Sequence, residues 1–111
     1  MEINYKSKKL EKTVADLSTI KKHYGTMAKA VNIRLNELKH ADNLSEIRFL
    51  PQANCHELSQ NRKGQLSVVV SGNHRIIFEP ANEPIPTLEQ GGLDWSKVTM
   101  ITILEIAIDY H

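Results

Sequence analysis

The 111-residue chain is predicted to adopt an α+β fold, in the order strand, helical hairpin and antiparallel meander. Three observations support this prediction. Up to about residue 40 the apolar side chains recur at the 3.6-residue spacing of amphipathic helices. After residue 54 the spacing changes toward the two-residue period of strands, and turn-forming segments separate the apolar runs. The length suits one hydrophobic core, so we expect a single domain over residues 1–111.

The first part of the chain is predicted to form a strand and two helices. Residues 1–5 alternate in polarity, as in a strand. Ser7 is placed to cap a helix that runs to Tyr24, and Gly25 suits its end. Thr26 is placed to cap a second helix, and so short a connection predicts an antiparallel hairpin. The apolar stripes would be Leu10, Val14, Leu17, Ile20 or Lys21, and Tyr24, followed by Met27, Ala30, Val31, Leu35 and Leu38.

The remainder is predicted to form strands and turns. Residues 43–50 favour a loop or one helical turn, closed by Pro51. Residues 80–97 are rich in proline and glycine, which favours a long surface loop, and Trp95 is expected to pin that loop to the core. The predicted strands are 54–58, 66–70, 74–78 and 98–108, with turns at 61–64 and 71–73.

The composition narrows the class of protein. Charged residues make up 24% and hydrophobic residues 41%, as in ordinary globular proteins. Residues 1–40 hold nine Lys or Arg against four Asp or Glu, a basic surface that suits phosphate backbones or an acidic partner; a solvated helix face is the simpler alternative. The single cysteine excludes an intramolecular disulfide. The sequence shows no signal-like or membrane-spanning run, so we expect a cytoplasmic protein without a membrane partner.

The most informative feature is Asp109-Tyr110-His111, which directly follows the last predicted strand. An ordered strand would bring an acid, a phenol and an imidazole to one place. General acid–base chemistry on an RNA phosphodiester needs such groups and no metal. The alternative is that three polar residues merely solubilise the strand end.

The central strands carry further candidates. Neighbouring strands of a meander lie side by side, so His56, Arg62 and Arg75 are expected to converge with the end of the last strand. The alternative is that His56 is structural and that the two arginines pair with Glu57 or Glu79, contacts of little worth when exposed.

Metal binding and thiol catalysis are two other possible chemistries for this part of the chain. His56, His111 and Asp109 are possible metal ligands, but we place this below RNA chemistry and expect neither a metal nor a cofactor. Cys55 lacks an identified base, so it is expected to be a small buried apolar residue and not a nucleophile.

The order of these residues resembles the HigB toxins of the RelE/ParE superfamily. The family pattern is His-x-Leu-x-x-x-Arg-x-Gly, then Ser-hydrophobic-x-hydrophobic, then Asn-x-Arg-Ile, and finally Asp-Tyr-His. The resemblance implies a RelE-like fold, in which an N-terminal strand and helical hairpin pack on a small curved, mainly antiparallel sheet. Matching residues are His56, Leu58, Arg62, Gly64, Ser67, Asn73, Arg75, Ile76, Asp109, Tyr110 and His111.

The resemblance also implies an activity: metal-independent cleavage of mRNA in the ribosomal A site, where a ribose 2′-hydroxyl attacks its adjacent phosphate. His56 and His111 would be base and acid, since an imidazole suits either task. Asp109 would orient one imidazole, and Tyr110 would stack on a base or bond the phosphate. The phosphate-binding residues would be Arg62, Lys63 and Arg75.

The chain departs from some family members in one turn, where Ser59-Gln60-Asn61 replaces Lys-Gly-Asp. The resemblance further implies a HigA-like helix-turn-helix antitoxin as partner, besides the ribosome and mRNA. Two other functions stay open: a ParE-like toxin that binds gyrase, and a catalytically idle antitoxin-binding member. Paired imidazoles favour the endonuclease, because a gyrase-binding toxin does not need them, whereas the missing lysine keeps the idle member open.

Overall fold

The structure is a computed structural model that describes residues 1–110, and its centre is one mixed five-stranded sheet. The strand order is β1-β5-β4-β3-β2; β1 runs parallel to β5, and all other neighbours are antiparallel. The predicted α+β class is therefore confirmed, with the last strand in the interior of the sheet. The elements are β1 Glu2–Tyr5, α1 Lys8–Lys12, α2 Leu17–Tyr24, α3 Ala28–His40, α4 Leu44–Arg48, β2 His56–Glu57, β3 Leu66–Ser71, β4 His74–Pro80 and β5 Met100–Asp109.

The helix predicted from Ser7 to Tyr24 is two helices, so that prediction was wrong. Ser7 does cap α1, accepting a hydrogen bond from the Leu10 backbone N–H at 3.1 Å. The chain leaves the helix after Thr13, and Asp16 begins α2 by accepting bonds from the Thr19 backbone N–H at 2.8 Å and hydroxyl at 2.9 Å. These bonds favour the ionised carboxylate and lower the pKa of Asp16. A local cap thus overrides a continuous apolar period.

The connection to the second long helix also differs from the prediction. Gly25 ends α2 with a positive φ of 54°, as expected of a glycine stop. Thr26 is not a cap, because residues 25–27 form a turn of 3₁₀ helix that continues into α3. The Ala28 backbone N–H donates to the Gly25 carbonyl there, so the start of α3 needs no side-chain cap.

The hydrophobic core lies between one face of the sheet and the helices. Each fully buried aliphatic or aromatic side chain contributes about 1.5–3 kcal/mol relative to exposure. Residues 43–50, predicted as a loop or one turn, contain the short helix α4, capped by Asn43. The largest fully buried side chains are Phe78, Leu38, Leu44, Ile47, Leu66, Ile76, Ile77, Ile101 and Ile103.

The loop between β4 and β5 is anchored by Trp95, as predicted. Its ring is 5% exposed, and its Nε1–H donates to the Glu57 carboxylate at 3.2 Å. The Arg48 guanidinium of α4 lies 4.0 Å from the centroid of the same ring, within cation–π range. Trp95 therefore links the loop, β2 and α4.

Arg34 of α3 connects the helices to the sheet. Its Nε–H donates to the Val69 carbonyl of β3 at 2.8 Å, beside the register shift between Val69 and Ser71. Its Nη2 donates to the Gln52 carbonyl at 3.0 Å, and its Nη1 pairs with Glu37 at 3.1 Å. One guanidinium thus satisfies two main-chain acceptors from separate segments.

We predict that Arg34→Met lowers the free energy of unfolding by about 2 kcal/mol or more, because two main-chain carbonyls lose a charged donor. Urea unfolding would measure the loss. Lys29→Met on the same helix is the matched control, since Lys29 is exposed; we expect it to stay within about 0.5 kcal/mol of the parent. Equal effects of the two substitutions would contradict the role given to Arg34.

Candidate functional site

The sheet register places several of the predicted residues on one face. His56 pairs with Ser67, Ser67 with Ile77, and Ile77 with Glu105. Arg75 lies two residues from Ile77 on β4. Cross-strand partners, and residues two apart in a strand, point to the same side of a sheet. We call this side, which carries Ser67, Arg75, Ile77 and Glu105, the Arg75 face.

The helices cover the opposite face. Val68, Ile76 and Phe78 alternate with residues of the Arg75 face and belong to the hydrophobic core beneath the helices. Leu58 and Ile77 are also buried, 7% and 0% exposed, but are not part of that core. The Arg75 face is therefore a second, separately packed surface of the sheet.

Arg75 and Ser67 hold buried polar atoms that have no hydrogen-bond partner among residues 1–110. Among the described residues, nothing accepts a hydrogen bond from Arg75 Nε or Nη1, and Ser67 Oγ has no partner although Ser67 is 0% exposed. Buried unpaired donors are rare in folded proteins, because each costs about 1–3 kcal/mol. A guanidinium with unpaired Nε and Nη donors is suited to a phosphate, which accepts such bonds in a forked arrangement.

Arg62 reaches the same face from the segment after β2. Its Nη1 lies 2.8 Å from Glu105 Oε1 and 3.0 Å from Gln65 Oε1. Since β3 and β4 lie between β2 and β5, the Arg62 side chain reaches across the Arg75 face to β5. The Arg62 guanidinium also lies 5.6 Å from the centroid of the Tyr110 ring. Arg62 is thus already engaged by a carboxylate and an aromatic ring.

His56 and Lys63 complete the set of described candidates. His56 is exposed, and its Nδ1 lies 3.2 Å from the Asn54 carbonyl. A carbonyl can only accept, so Nδ1 carries the proton in the neutral ring and Nε2 keeps its lone pair. Lys63 is exposed in the turn directly after Arg62.

The strand order separates His56 from the end of β5. Three strand spacings lie between His56 and Glu105, which amounts to about 14 Å between their backbones. The prediction that His56 converges with the end of the last strand was therefore wrong: His56 shares a face with Arg75, but β3 and β4 separate it from β5. His111 lies outside the described residues.

The end of β5 continues the ladder beyond the strand. The Tyr110 backbone N–H donates to the Asn73 carbonyl at 2.9 Å, which fixes this residue beside β4. Asp109 pairs with His74, and the preceding residue Ile108 pairs with Arg75. Strand alternation places Asp109 on the face opposite Arg75. The structure describes two residues of the tripeptide, Asp109 and Tyr110. The ring of Tyr110 contacts Arg62.

Cys55 shows no feature of a nucleophile. Burial raises the pKa of its thiol to about 12, with Arg48 lowering it and Glu57 raising it by smaller amounts. A thiol attacks as thiolate, so this environment makes it inert near neutral pH. Its side chain packs against the hydrophobic core, as the sequence predicted.

Two further observations concern the described residues 1–110. No cluster of three or more His, Cys, Asp or Glu side chains with metal-site geometry occurs among them. No helix in this part of the chain has the length and apolar character needed to cross a membrane.

Sequence reasoning missed Glu105, the carboxylate that holds Arg62. A signal was present, because Glu105 is the one charged residue between Thr99 and Ile108 in an otherwise apolar strand. Charged residues are almost never buried without a partner. An isolated carboxylate in such a strand therefore indicates a cationic neighbour.

Comparisons with known proteins identify the family. A family model described as the RelE-like toxin of type II toxin-antitoxin system HigB matches residues 3–88. That range includes Arg62 and Arg75 and ends before β5, so Asp109-Tyr110-His111 falls outside the match. A search of the curated proteins gives no match.

Solved structures show the same fold. The YoeB/ParE toxin from Agrobacterium tumefaciens superposes with a TM-score of 0.58 at 11% identity, covering 99% of this chain and 100% of the other. A chain of the YoeB-YefM complex from Staphylococcus aureus gives 0.56 at 15% identity, covering 99% and 98%. These likenesses confirm the predicted RelE-like fold. With the family match over residues 3–88, they establish that the chain belongs to the HigB-like family, the RelE-like toxins of type II toxin-antitoxin systems.

Proposed function

We propose that this toxin is a ribosome-dependent mRNA endonuclease that blocks translation by metal-independent cleavage. The observation that carries the proposal concerns two buried donors of Arg75, Nε and Nη1, that have no partner in the described part of the chain. They lie on the face that also presents Ser67 and the Arg62–Tyr110 pair. Such an arrangement suits an anion with several acceptor oxygens. A phosphodiester of single-stranded RNA provides that anion together with bases that stack on aromatic rings.

The proposed reaction takes its nucleophile from the RNA. A ribose 2′-oxygen attacks the adjacent phosphorus and loses its proton, the bond from phosphorus to the 5′-oxygen breaks, and that oxygen gains a proton. His56 Nε2, with Nδ1 bonded to the Asn54 carbonyl, is oriented to take or give one proton. His111 would serve the other transfer. Asp109 lies on the face opposite Arg75, so the orienting role that the resemblance implied for it is not proposed at this site.

The two arginines would have different tasks. Arg75 Nε and Nη1 are buried, so a phosphate would reach them only after the side chains that cover them move. It would then meet donors that have no partner among the described residues, which makes Arg75 the proposed principal clamp for the developing charge. Arg62 already pairs with Glu105 and lies against Tyr110, so it would hold the ring in place for stacking. Lys63 would contribute a more distant, salt-sensitive attraction to the RNA backbone.

The proposed partners follow from the family. One of the solved neighbours is a YoeB-YefM complex, and we propose that this toxin is likewise held by an antitoxin, of the HigA-like helix-turn-helix kind. The basic helices at the start of the chain would contact ribosomal RNA. We place its action in the cytoplasm, where translating ribosomes are found.

Substitution of Arg75 gives the first test. We predict that Arg75→Met reduces mRNA cleavage on translating ribosomes by roughly 10²-fold or more, the scale for losing a donor to a developing anion. Its free energy of unfolding should stay equal or rise, because buried donors without a partner among residues 1–110 oppose folding. Primer extension and urea unfolding would measure the two quantities.

Arg48→Met is the matched control for Arg75→Met. Arg48 lies over Trp95, on the helix-covered side of the sheet, so its loss should lower stability slightly and leave cleavage unchanged. Normal cleavage by Arg75→Met would place the phosphate clamp elsewhere. The same conclusion would follow if Arg75→Met lost stability while Arg48→Met lost cleavage.

Removal of Tyr110 and His111 gives the second test. We predict a loss of roughly two or more orders of magnitude in cleavage, the usual scale for a proton-transfer group. The deletion should also relieve growth arrest, with the fold retained because the buried part of β5 ends before Asp109. A truncated toxin that arrests growth as before would favour action through protein binding, as in the gyrase-binding branch.

The cysteine provides a negative test. With a pKa of about 12, roughly one Cys55 thiol in ten thousand is ionised at pH 8. We predict slow alkylation by iodoacetamide in buffer, fast alkylation in urea, and normal cleavage by Cys55→Ala. Loss of cleavage in a stably folded Cys55→Ala variant would instead assign the thiol a part in the reaction.

A further inference from the structure

We propose that Ala107 is a positioning residue, whose bulge in β5 determines that Tyr110 rather than Asp109 lies on the Arg75 face. Ala107 has a φ of 57°, in the left-handed region that alanine rarely occupies. Strained backbone of this kind persists where the surrounding structure requires it and often marks a functional site. The effect on cleavage rests on the function proposed above, whereas the placement of the two side chains does not.

The register shows what the bulge does. Ile77 pairs with Glu105 and Arg75 with Ile108, so two steps on β4 face three steps on β5. That is the signature of a β-bulge, in which one strand carries an extra residue. In a regular strand, Ala107 would stand opposite Arg75. The extra residue moves Ile108 into that place.

The extra residue changes the side on which later residues lie. Counted from Glu105 in a regular strand, residue 109 would lie on the Arg75 face and residue 110 on the opposite one. In the structure Asp109 pairs with His74 instead, and Tyr110 lies against Arg62. The bulge therefore exchanges a carboxylate for a phenol beside the Arg62 guanidinium.

A second register shift, earlier in β5, completes the arrangement. Phe78 pairs with Ile103 in the core, while its neighbour Ile77 pairs with Glu105, which leaves Leu104 as the extra residue. If both shifts were absent, Glu105 would face the core. With the first shift alone, Tyr110 would turn away from Arg62. Both shifts are needed for Arg62 to contact Glu105 and Tyr110 together.

A purely structural role for the bulge makes different predictions. Bulges also relieve packing conflicts, and Ala107 packs partly against the core. In that case changes at Ala107 would alter stability, and the identity of residues 109 and 110 would not matter. A positioning role requires that exchanging those two residues compensates for loss of the bulge.

The experiment uses a deletion and its compensation. Deletion of Ala107 removes the extra residue, and the same deletion combined with Asp109→Tyr and Tyr110→Asp returns a phenol to the Arg75 face. The readout is the Arg62 Nε–H resonance in an NMR spectrum, which the Tyr110 ring current displaces; Tyr110→Leu gives its position without the ring. Ala107→Gly is the control, because glycine occupies the left-handed region freely and keeps the bulge.

The positioning role predicts one pattern. The deletion should move the Arg62 resonance to its position in Tyr110→Leu and lower cleavage roughly 10²-fold, the scale for a misplaced group. The compensated deletion should return the resonance toward the parent, and Ala107→Gly should leave both readouts unchanged. A deletion that keeps the parental resonance, or a compensated deletion that does not recover it, overturns the proposal.

Two controls distinguish a wrong proposal from two other outcomes: a deletion variant that does not fold, and a parent protein that lacks the proposed function. If the deletion variant does not fold, Ala107→Val replaces it, because a β-branched residue strongly disfavours a positive φ; a folded Ala107→Val with an unchanged Arg62 resonance overturns the proposal. If the resonance follows the predicted pattern but the parent protein cleaves no mRNA, the positioning role stands and the proposed function fails.

Discussion

The pairing of β5 with both β1 and β4 is the constraint on which the rest of the structure depends. Glu2 pairs with Met100, so the sheet forms only when two strands that are far apart in the sequence come together. A parallel pair cannot be closed by a tight turn, and the connection between these two strands contains all four helices together with β2, β3 and β4. Such long-range pairing costs loop-closure entropy before its contacts can form. Since the same pairing builds the core and positions the candidate site, the two are coupled.

The same strand has to satisfy two different surfaces. Ile101 and Ile103 are completely buried in the core, whereas Glu105, two residues later, pairs with Arg62 on the opposite face. Strict alternation cannot meet both demands, because it would bury the carboxylate among apolar side chains, at a large free-energy penalty. The register shifts resolve the conflict. The strain at Ala107 resembles the Arg75 donors that have no partner among the described residues: both oppose folding, and both help to shape the face proposed to act on RNA.

Sequence patterns predicted what depends on periodicity and missed what depends on local exceptions. Strand and helix types, the buried stripe of α3 and the anchoring of Trp95 were predicted from apolar spacing and loop chemistry. The break before Asp16 was missed because Leu17, which is 48% exposed, continues the apolar period across the cap. The bulge at Ala107 was not predictable, since alanine gives no sign of a positive φ. The site residues were chosen by type and order, but their faces depend on register, which the sequence does not display.

The unequal surroundings of the two arginines determine how an anion would bind under the proposed function. A phosphate at Arg62 must compete with the Glu105 carboxylate, 2.8 Å away, so part of any new attraction is lost with the old pair. A phosphate at Arg75 displaces no protein acceptor among the described residues and satisfies donors that are already desolvated. Under the proposed function, the anion would therefore bind at Arg75. Glu105, left paired with Arg62, would keep that guanidinium from acting as a second phosphate site, so under the proposed function this face would hold one phosphodiester at a time.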